Sequence, residues 1–170
     1  MKKIGLLGGS FNPPHQGHIH ISNLAIKHLD LDEIWWIPTI QNPLKSPEIY
    51  ENYQIRVEKC QKIIENFENI KIKNFSEIYT IDLIVKLKKL YPEHIFFWIM
   101  GADNFENFHL WKDFEKLIKL LPFAVFSRET FLNDIKSTEA FKIFQNSSDS
   151  KLLTFETENI DISSTQIRNV

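Results

Sequence analysis

Apolar and polar positions fall in blocks along this chain, and the period inside each block predicts the element it forms. Ile4 to Leu7 is an unbroken apolar run, so Met1 to Leu7 reads as a strand covered on both faces. From about His18 to Leu29, Ile21, Leu24, Ala25 and His28 recur at helical spacing and form the expected inward face. Glu33 to Pro38 is a second strand, stopped by its proline. Trp35 and Trp36 are neighbours on it, so their rings face opposite ways and are expected to pack. Gln54 to Asn66 reads as a helix with the apolar face Val57, Cys60, Ile64 and Phe67. Ile70 to Phe75 alternates, which suits a strand at the edge of a sheet. A helix opens at Tyr79, with Thr80 placed to cap it and Asp82 in its first turn, and ends at Pro92.

Ile95 to Met100 is again unbroken and apolar, the signature of a central strand, and a helix follows near Asp113 to Leu121. Phe123 to Ser127 is a fifth strand; residues 129–150 are polar, with one short helix near Thr138 to Phe144. Lys151 to Phe155 is a last short strand, and Ser163 or Ser164 caps a final helix carrying Arg168. Strands alternating with helices imply right-handed crossovers. The expected fold is therefore α/β, a Rossmann-like doubly wound parallel sheet with helices on both faces, for which we take 3-2-1-4-5 as the expected strand order. Residues 1–170 are expected to form a single domain. In that order the loops after the first and fourth strands diverge and leave a crevice at their C-terminal ends.

Composition narrows the classes without choosing among them. Hydrophobic residues make up 43% and charged residues 25% of 170, the balance of an ordinary globular chain. A net charge of −2 gives no basic stripe for nucleic acid or anionic membrane, so any phosphate site must be local. Cys60 is the single cysteine, which excludes an internal disulfide and makes a reducing cytoplasm the expected compartment. No apolar run reaches membrane-spanning length.

The candidate chemistry lies in Gly8-Gly9-Ser10-Phe11-Asn12-Pro13-Pro14-His15-Gln16-Gly17-His18, between the first strand and the first helix. The glycine pair permits a sharp turn and close backbone approach to a ligand. His15 and His18, three residues apart, can point to one side of the helix N-terminus, where unpaired N–H groups and the macrodipole favour anions. Two imidazoles there make a phosphate site. A metal pair is the lesser reading, because no third ligand lies nearby. Lys45, in a proline-punctuated loop, reads from its residues alone as a solvated charge. Asp103, just past the fourth strand, is placed either to accept a ribose hydroxyl or to cap a helix, and Trp111 reads by default as packing.

GGSFNPPHQGH closely resembles the [GT]-[ST]-F-[DN]-P-x-H-x-G-H signature of the nucleotidyltransferase superfamily, and Ile162-Ser163-Ser164-Thr165-Gln166-Ile167-Arg168 resembles its I-S-S-T-x-I-R element. Asn42-Pro43, Thr80-Ile81-Asp82 and Phe108 to Trp111 make the chain look like the bacterial nicotinate-nucleotide adenylyltransferases. That resemblance implies adenylyl transfer from ATP to nicotinate mononucleotide, giving deamido-NAD and pyrophosphate. It implies catalytic roles for His15, His18 and Ser10, and an ATP site built from Gly8, Gly9, Phe11, Gly17, Gly101, Asp103, Ile162, Ser163, Ser164 and Arg168. It implies a mononucleotide site of Lys45, Thr80, Asp82, Phe108, His109 and Trp111. In the T-x-D-T-L segment of that family, Leu83 stands here where the second threonine would be. Mg²⁺ is the implied cofactor, held mainly through the ATP phosphates, and a monomer or homodimer the implied assembly. Pantetheine-phosphate or nicotinamide mononucleotide adenylyl transfer, and a non-catalytic nucleotide sensor, stand as alternatives.

Overall fold

In the computed structural model, which describes residues 1–40, 50–128 and 132–157, the strands form one six-stranded sheet of order β3-β2-β1-β4-β5-β6. The strands are β1 (Lys3–Gly9), β2 (Glu33–Pro38), β3 (Ile70–Ile72), β4 (Ile95–Gly101), β5 (Phe123–Arg128) and β6 (Leu152–Thr157). Every neighbouring pair is parallel, so the strands all end at one edge of the sheet. The expected order 3-2-1-4-5 is present, and β6 extends it by pairing along the whole of β5.

Helices cover both faces: α1 (Gln16–Leu29), α2 (Tyr53–Ile63), α3 (Thr80–Leu90), α4 (Ala102–Glu106), α5 (Phe114–Leu117), α6 (Leu132–Ser137) and α7 (Glu139–Asn146). Ile19 and Ala25 of α1 and Cys60 of α2 pack on one face with Leu7, Trp36 and Ile99. On the other, α3, α5 and α7 bring Ile84, Leu117 and Phe144 against Ile4, Trp35 and Trp98. The adjacent Trp35 and Trp36 thus enter separate cores, as their alternation along β2 requires. Cys60 is fully buried, and burial pushes its thiol up to about 12, so it is an inert packing residue.

Three local expectations are corrected. His28 is exposed on α1, its ring 5.0 Å from that of Phe155; the inward face is Ile19, Ser22 and Ala25, one position out of phase. Thr80 is the first helical residue of α3 and Tyr79 the N-cap, with no side-chain bond, although Asp82 does lie in the first turn. The helix expected over Asp113 to Leu121 is only the four-residue α5, capped at Asp113 with a left-handed φ of 51°, and the stretch before it adds α4 and a 3₁₀ turn at Phe108–Leu110. Burying Phe105, Phe108, Phe114 and Leu117 together demands these changes of direction, which a straight helix could not make. Among the described residues no helix is long and apolar enough to cross a membrane.

Candidate active site

The register of β1 fixes where its loop begins. Gly9 lies opposite Pro38 at the end of β2, and Leu7 opposite Ile99 near the end of β4. The loop from Ser10 to Pro14 therefore leaves the sheet beside the segment that follows β4. Gly8 is required by close approach: a Cβ there would stand 2.7 Å from the Trp98 indole. Phe11 adopts φ 46°, a left-handed conformation costing about 1–2 kcal/mol for a residue with a side chain. Its buried ring stacks on Trp36 at 4.8 Å and packs on His18 at 4.7 Å, contacts that hold it in this conformation.

His15 is the N-cap of α1, and its Nδ1 accepts the Gly17 backbone N–H at 3.1 Å. His18 reciprocates: its Nδ1 accepts the His15 backbone N–H at 3.1 Å, closing a capping box built of imidazoles. The two rings are 3.9 Å apart. Ser22 donates to the His18 carbonyl at 2.8 Å and accepts from Trp36 Nε1 at 2.9 Å, which ties the turn to β2.

These bonds decide the tautomers. A neutral imidazole whose Nδ1 accepts must carry its proton on Nε2. Both histidines are neutral: burial first, and then the neighbouring His15, push His18 down to about 3 from 6.5, and burial lowers His15 while Asp103 opposes it. Each therefore presents one Nε2–H donor at the positive end of α1, an arrangement suited to phosphate oxygens.

The segment after β4 meets this turn. Asp103 acts on His15 electrostatically, and a Cβ on Gly101 would lie 2.7 Å from Asp103 Oδ1 and 3.8 Å from Ile21 of α1. Asp103 is exposed in the first turn of α4, whose N-cap is Gly101, so its carboxylate faces solvent and is not the helix cap. Trp98 links the two sides, lying against Gly8 and meeting Trp111 edge-to-face at 6.0 Å. The start of α3 joins them: Asp82 pairs with Lys112 at 3.1 Å, and the Lys112 ammonium lies 4.4 Å from the Tyr79 ring centre.

His15, His18, Gly8, Gly9, Gly17, Gly101 and Asp103 thus come together, with Thr80, Asp82, His109 and Trp111 in the adjoining region. Ser10 lies at the turn, its carbonyl bonded by Arg56. Phe108 is corrected: it is fully buried among Phe114, Phe123 and Phe144, so its ring supports Trp111 from behind, at 4.9 Å, and cannot touch a ligand. The Phe11 side chain is likewise packed inside, against Trp36 and His18. Lys45, Ile162, Ser163, Ser164 and Arg168 lie outside the described residues. Arg56, buried on α2 and bonded to the loop, was not anticipated. Its signal is a charge one helical turn before Cys60, on the apolar stripe itself.

Among the described residues no three His, Cys, Asp or Glu side chains cluster to hold a metal ion. The crevice offers imidazole N–H donors to phosphate oxygens, and such oxygens are themselves ligands for a hard cation.

The chain matches the cytidylyltransferase-like family over residues 6–170. It is 37% identical over 142 residues to the probable nicotinate-nucleotide adenylyltransferase of Agrobacterium fabrum, covering 81% of this chain and 75% of that one. Against the protein of the same name from Ruegeria sp. it is 40% identical over 130 residues, 74% of this chain and 67% of the other. Its fold superposes on Plasmodium falciparum nicotinic acid mononucleotide adenylyltransferase complexed with NaAD, with TM-score 0.80 at 24% identity over 99% of this chain and 83% of that one. The same parasite protein complexed with APC gives TM-score 0.78 at 22% identity, with the same coverage.

Proposed function

Because the chain belongs to the cytidylyltransferase-like family, and within it to the nicotinate-nucleotide adenylyltransferases, we propose that it transfers the adenylyl group of ATP to nicotinate mononucleotide. The products are deamido-NAD and pyrophosphate, a step of NAD biosynthesis. In this reading residues 1–170 act as one nucleotidyltransferase domain.

The observation that carries the mechanism is the pair of Nε2–H donors locked at the start of α1. A phosphate oxygen of the mononucleotide attacks the α-phosphorus of ATP in line. One P–O bond forms there as the bond to the β-phosphate oxygen breaks, and its electrons leave with pyrophosphate. The nucleophile is already anionic near neutral pH, so the protein need not remove a proton. Its work is positioning and the neutralisation of developing charge. His15 and His18 donate to the phosphates from fixed, neutral rings, which need no reorientation as charge moves. Ser10 fixes a phosphate oxygen at the turn. Asp103 accepts a ribose hydroxyl, and Trp111, held against Trp98, stacks on the nicotinate ring. Lys45, Ile162, Ser163, Ser164 and Arg168 complete the phosphate and adenine contacts in this proposal. Mg²⁺, carried on the triphosphate, shares the charge when bound.

The test is pyrophosphate release from ATP and Mg²⁺ with nicotinate mononucleotide, its amide and phosphopantetheine compared side by side. Turnover confined to the pyridine mononucleotides is the expected result, with the acid preferred. Release only with phosphopantetheine, or ATP binding without any release, overturns the reading.

A further inference from the structure

Arg56 is 1% exposed, and the transfer step as described makes no use of its charge. Its Nε donates to the Glu51 carbonyl at 3.1 Å, one terminal nitrogen to the Ser10 carbonyl, and the other to the carbonyls of Thr39 at 2.9 Å and Ile40 at 3.2 Å. The rings of Tyr50 and Tyr53 have their centres 5.5 and 5.4 Å from its central carbon. A guanidinium is suited to this task because its donors form a rigid plane. One fork therefore fixes the phosphate loop to the end of β2, where the Thr39 N–H also donates to Gly9 at 2.9 Å.

The Ser10 carbonyl belongs to the peptide that joins Ser10 to Phe11. In a planar trans peptide the N–H points opposite to the C=O. Drawing the Ser10 carbonyl onto Arg56 therefore turns the Phe11 N–H to the side away from the guanidinium, at a residue held with φ 46°.

We propose that Arg56 is a positioning residue for adenylyl transfer, its planar guanidinium holding the Ser10–Phe11 peptide so that the Phe11 N–H and the Ser10 side chain are presented to the transferring phosphate. The inference rests on the adenylyl-transfer reading. Arg56 touches no substrate, since it is sealed beneath the loop.

The experiment compares Arg56→Lys and Arg56→Gln with the wild type, measuring kcat, KM for both substrates, and folding by near-ultraviolet circular dichroism. Lysine keeps the charge and loses the planar fork; glutamine removes the charge, and with it the need to bury an ammonium. The expected result is a folded Arg56→Lys with kcat reduced about 10- to 100-fold, the scale of a loop misplaced by an ångström, and both KM values within about threefold. Arg56→Gln is expected to fall at least as far. A folded Arg56→Lys with kcat within threefold of wild type overturns the proposal, as does an effect confined to KM. Failure of both variants to fold at 15 °C also overturns it, because Arg56 would then hold the fold and not the loop. Wild-type turnover in the same assay separates the two ideas: an inactive wild type overturns the functional reading and this proposal with it.

Discussion

The Nδ1 of His18 accepts the backbone N–H of His15 at 3.1 Å, so the ring that the proposed mechanism offers to phosphate is also the acceptor that starts its own helix. Capping and chemistry use opposite nitrogens of one imidazole, and a substitution can part them. Asparagine at position 15 keeps an acceptor where Nδ1 stands and deletes the Nε2 donor. His15→Asn should hold stability within about 0.5 kcal/mol, while His15→Ala loses about 1 kcal/mol through the cap. Both should lower kcat by roughly 10²–10³-fold, the cost of one missing transition-state donor. His18→Ala should lose a similar factor with the fold intact. Thermal melts and steady-state kinetics check this, and near-normal turnover in a folded His15→Asn or His18→Ala would sink the assigned chemistry.

The neutral His18 makes stability depend on pH. Burial and His15 hold it at about 3 in the folded chain against an ordinary 6.5. As pH falls below about 6.5 the unfolded chain takes up a proton that the folded chain refuses. Its contribution is thus fully present above that value and is lost progressively on acidification toward about 3. Between about pH 7 and about pH 5.5 the loss should be about 1 kcal/mol, with His15 adding in the same direction. Urea unfolding at the two pH values measures it. The pH slope should shrink in His18→Gln, which cannot titrate; an unchanged slope would show that another group is responsible.

Gly8 and Trp98 share one volume. Gly8→Ala would place a methyl 2.7 Å from the buried indole, which must shift and take its edge-to-face partner Trp111 with it. The expected cost is about 1–3 kcal/mol, together with a raised KM for nicotinate mononucleotide. In a Trp98→Phe background the same alanine should cost less, because the clashing atoms are gone. A double-mutant cycle measures that coupling, and strict additivity would refute the contact.

Phe108 and Trp111 are three residues apart and predict opposite phenotypes. Phe108→Ala empties a fully buried site and should cost about 3–5 kcal/mol, with kcat per folded molecule little changed. Trp111→Ala should cost less stability and raise KM for the mononucleotide about fivefold by removing a stacking surface of about 1 kcal/mol. Denaturation midpoints beside KM values distinguish the two, and a reversed pattern would exchange their roles.

The sheet was legible because its strands are apolar runs set between helical periods. Ile4 to Leu7, Glu33 to Pro38 and Ile95 to Met100 announce buried parallel strands, and the crossover rule then fixes the hand of their connections. The histidine turn was legible as a motif with a physical reason. What local pattern could not show was tertiary geometry. His28 shares helical spacing with Ala25 yet lies outward, because α1 meets the sheet one position out of phase. Phe108 shares its motif with Trp111 yet turns inward at a 3₁₀ turn. The role of Arg56 is not legible in the sequence because its partners are backbone carbonyls of earlier segments, which no side-chain pattern records.

The position of β1 between β2 and β4 has a consequence for the chain while it is being made. β2 is available soon after β1, whereas β4 begins at Ile95. At ribosomal speeds of 5–20 residues per second, one side of the most central strand waits on the order of ten seconds for its partner. During that interval Ile4, Leu6 and Leu7 flank an unpaired edge, the kind of surface that recruits other chains. The architecture that lets two distant loops share one crevice leaves the nascent protein vulnerable at the strand that bears its histidine turn.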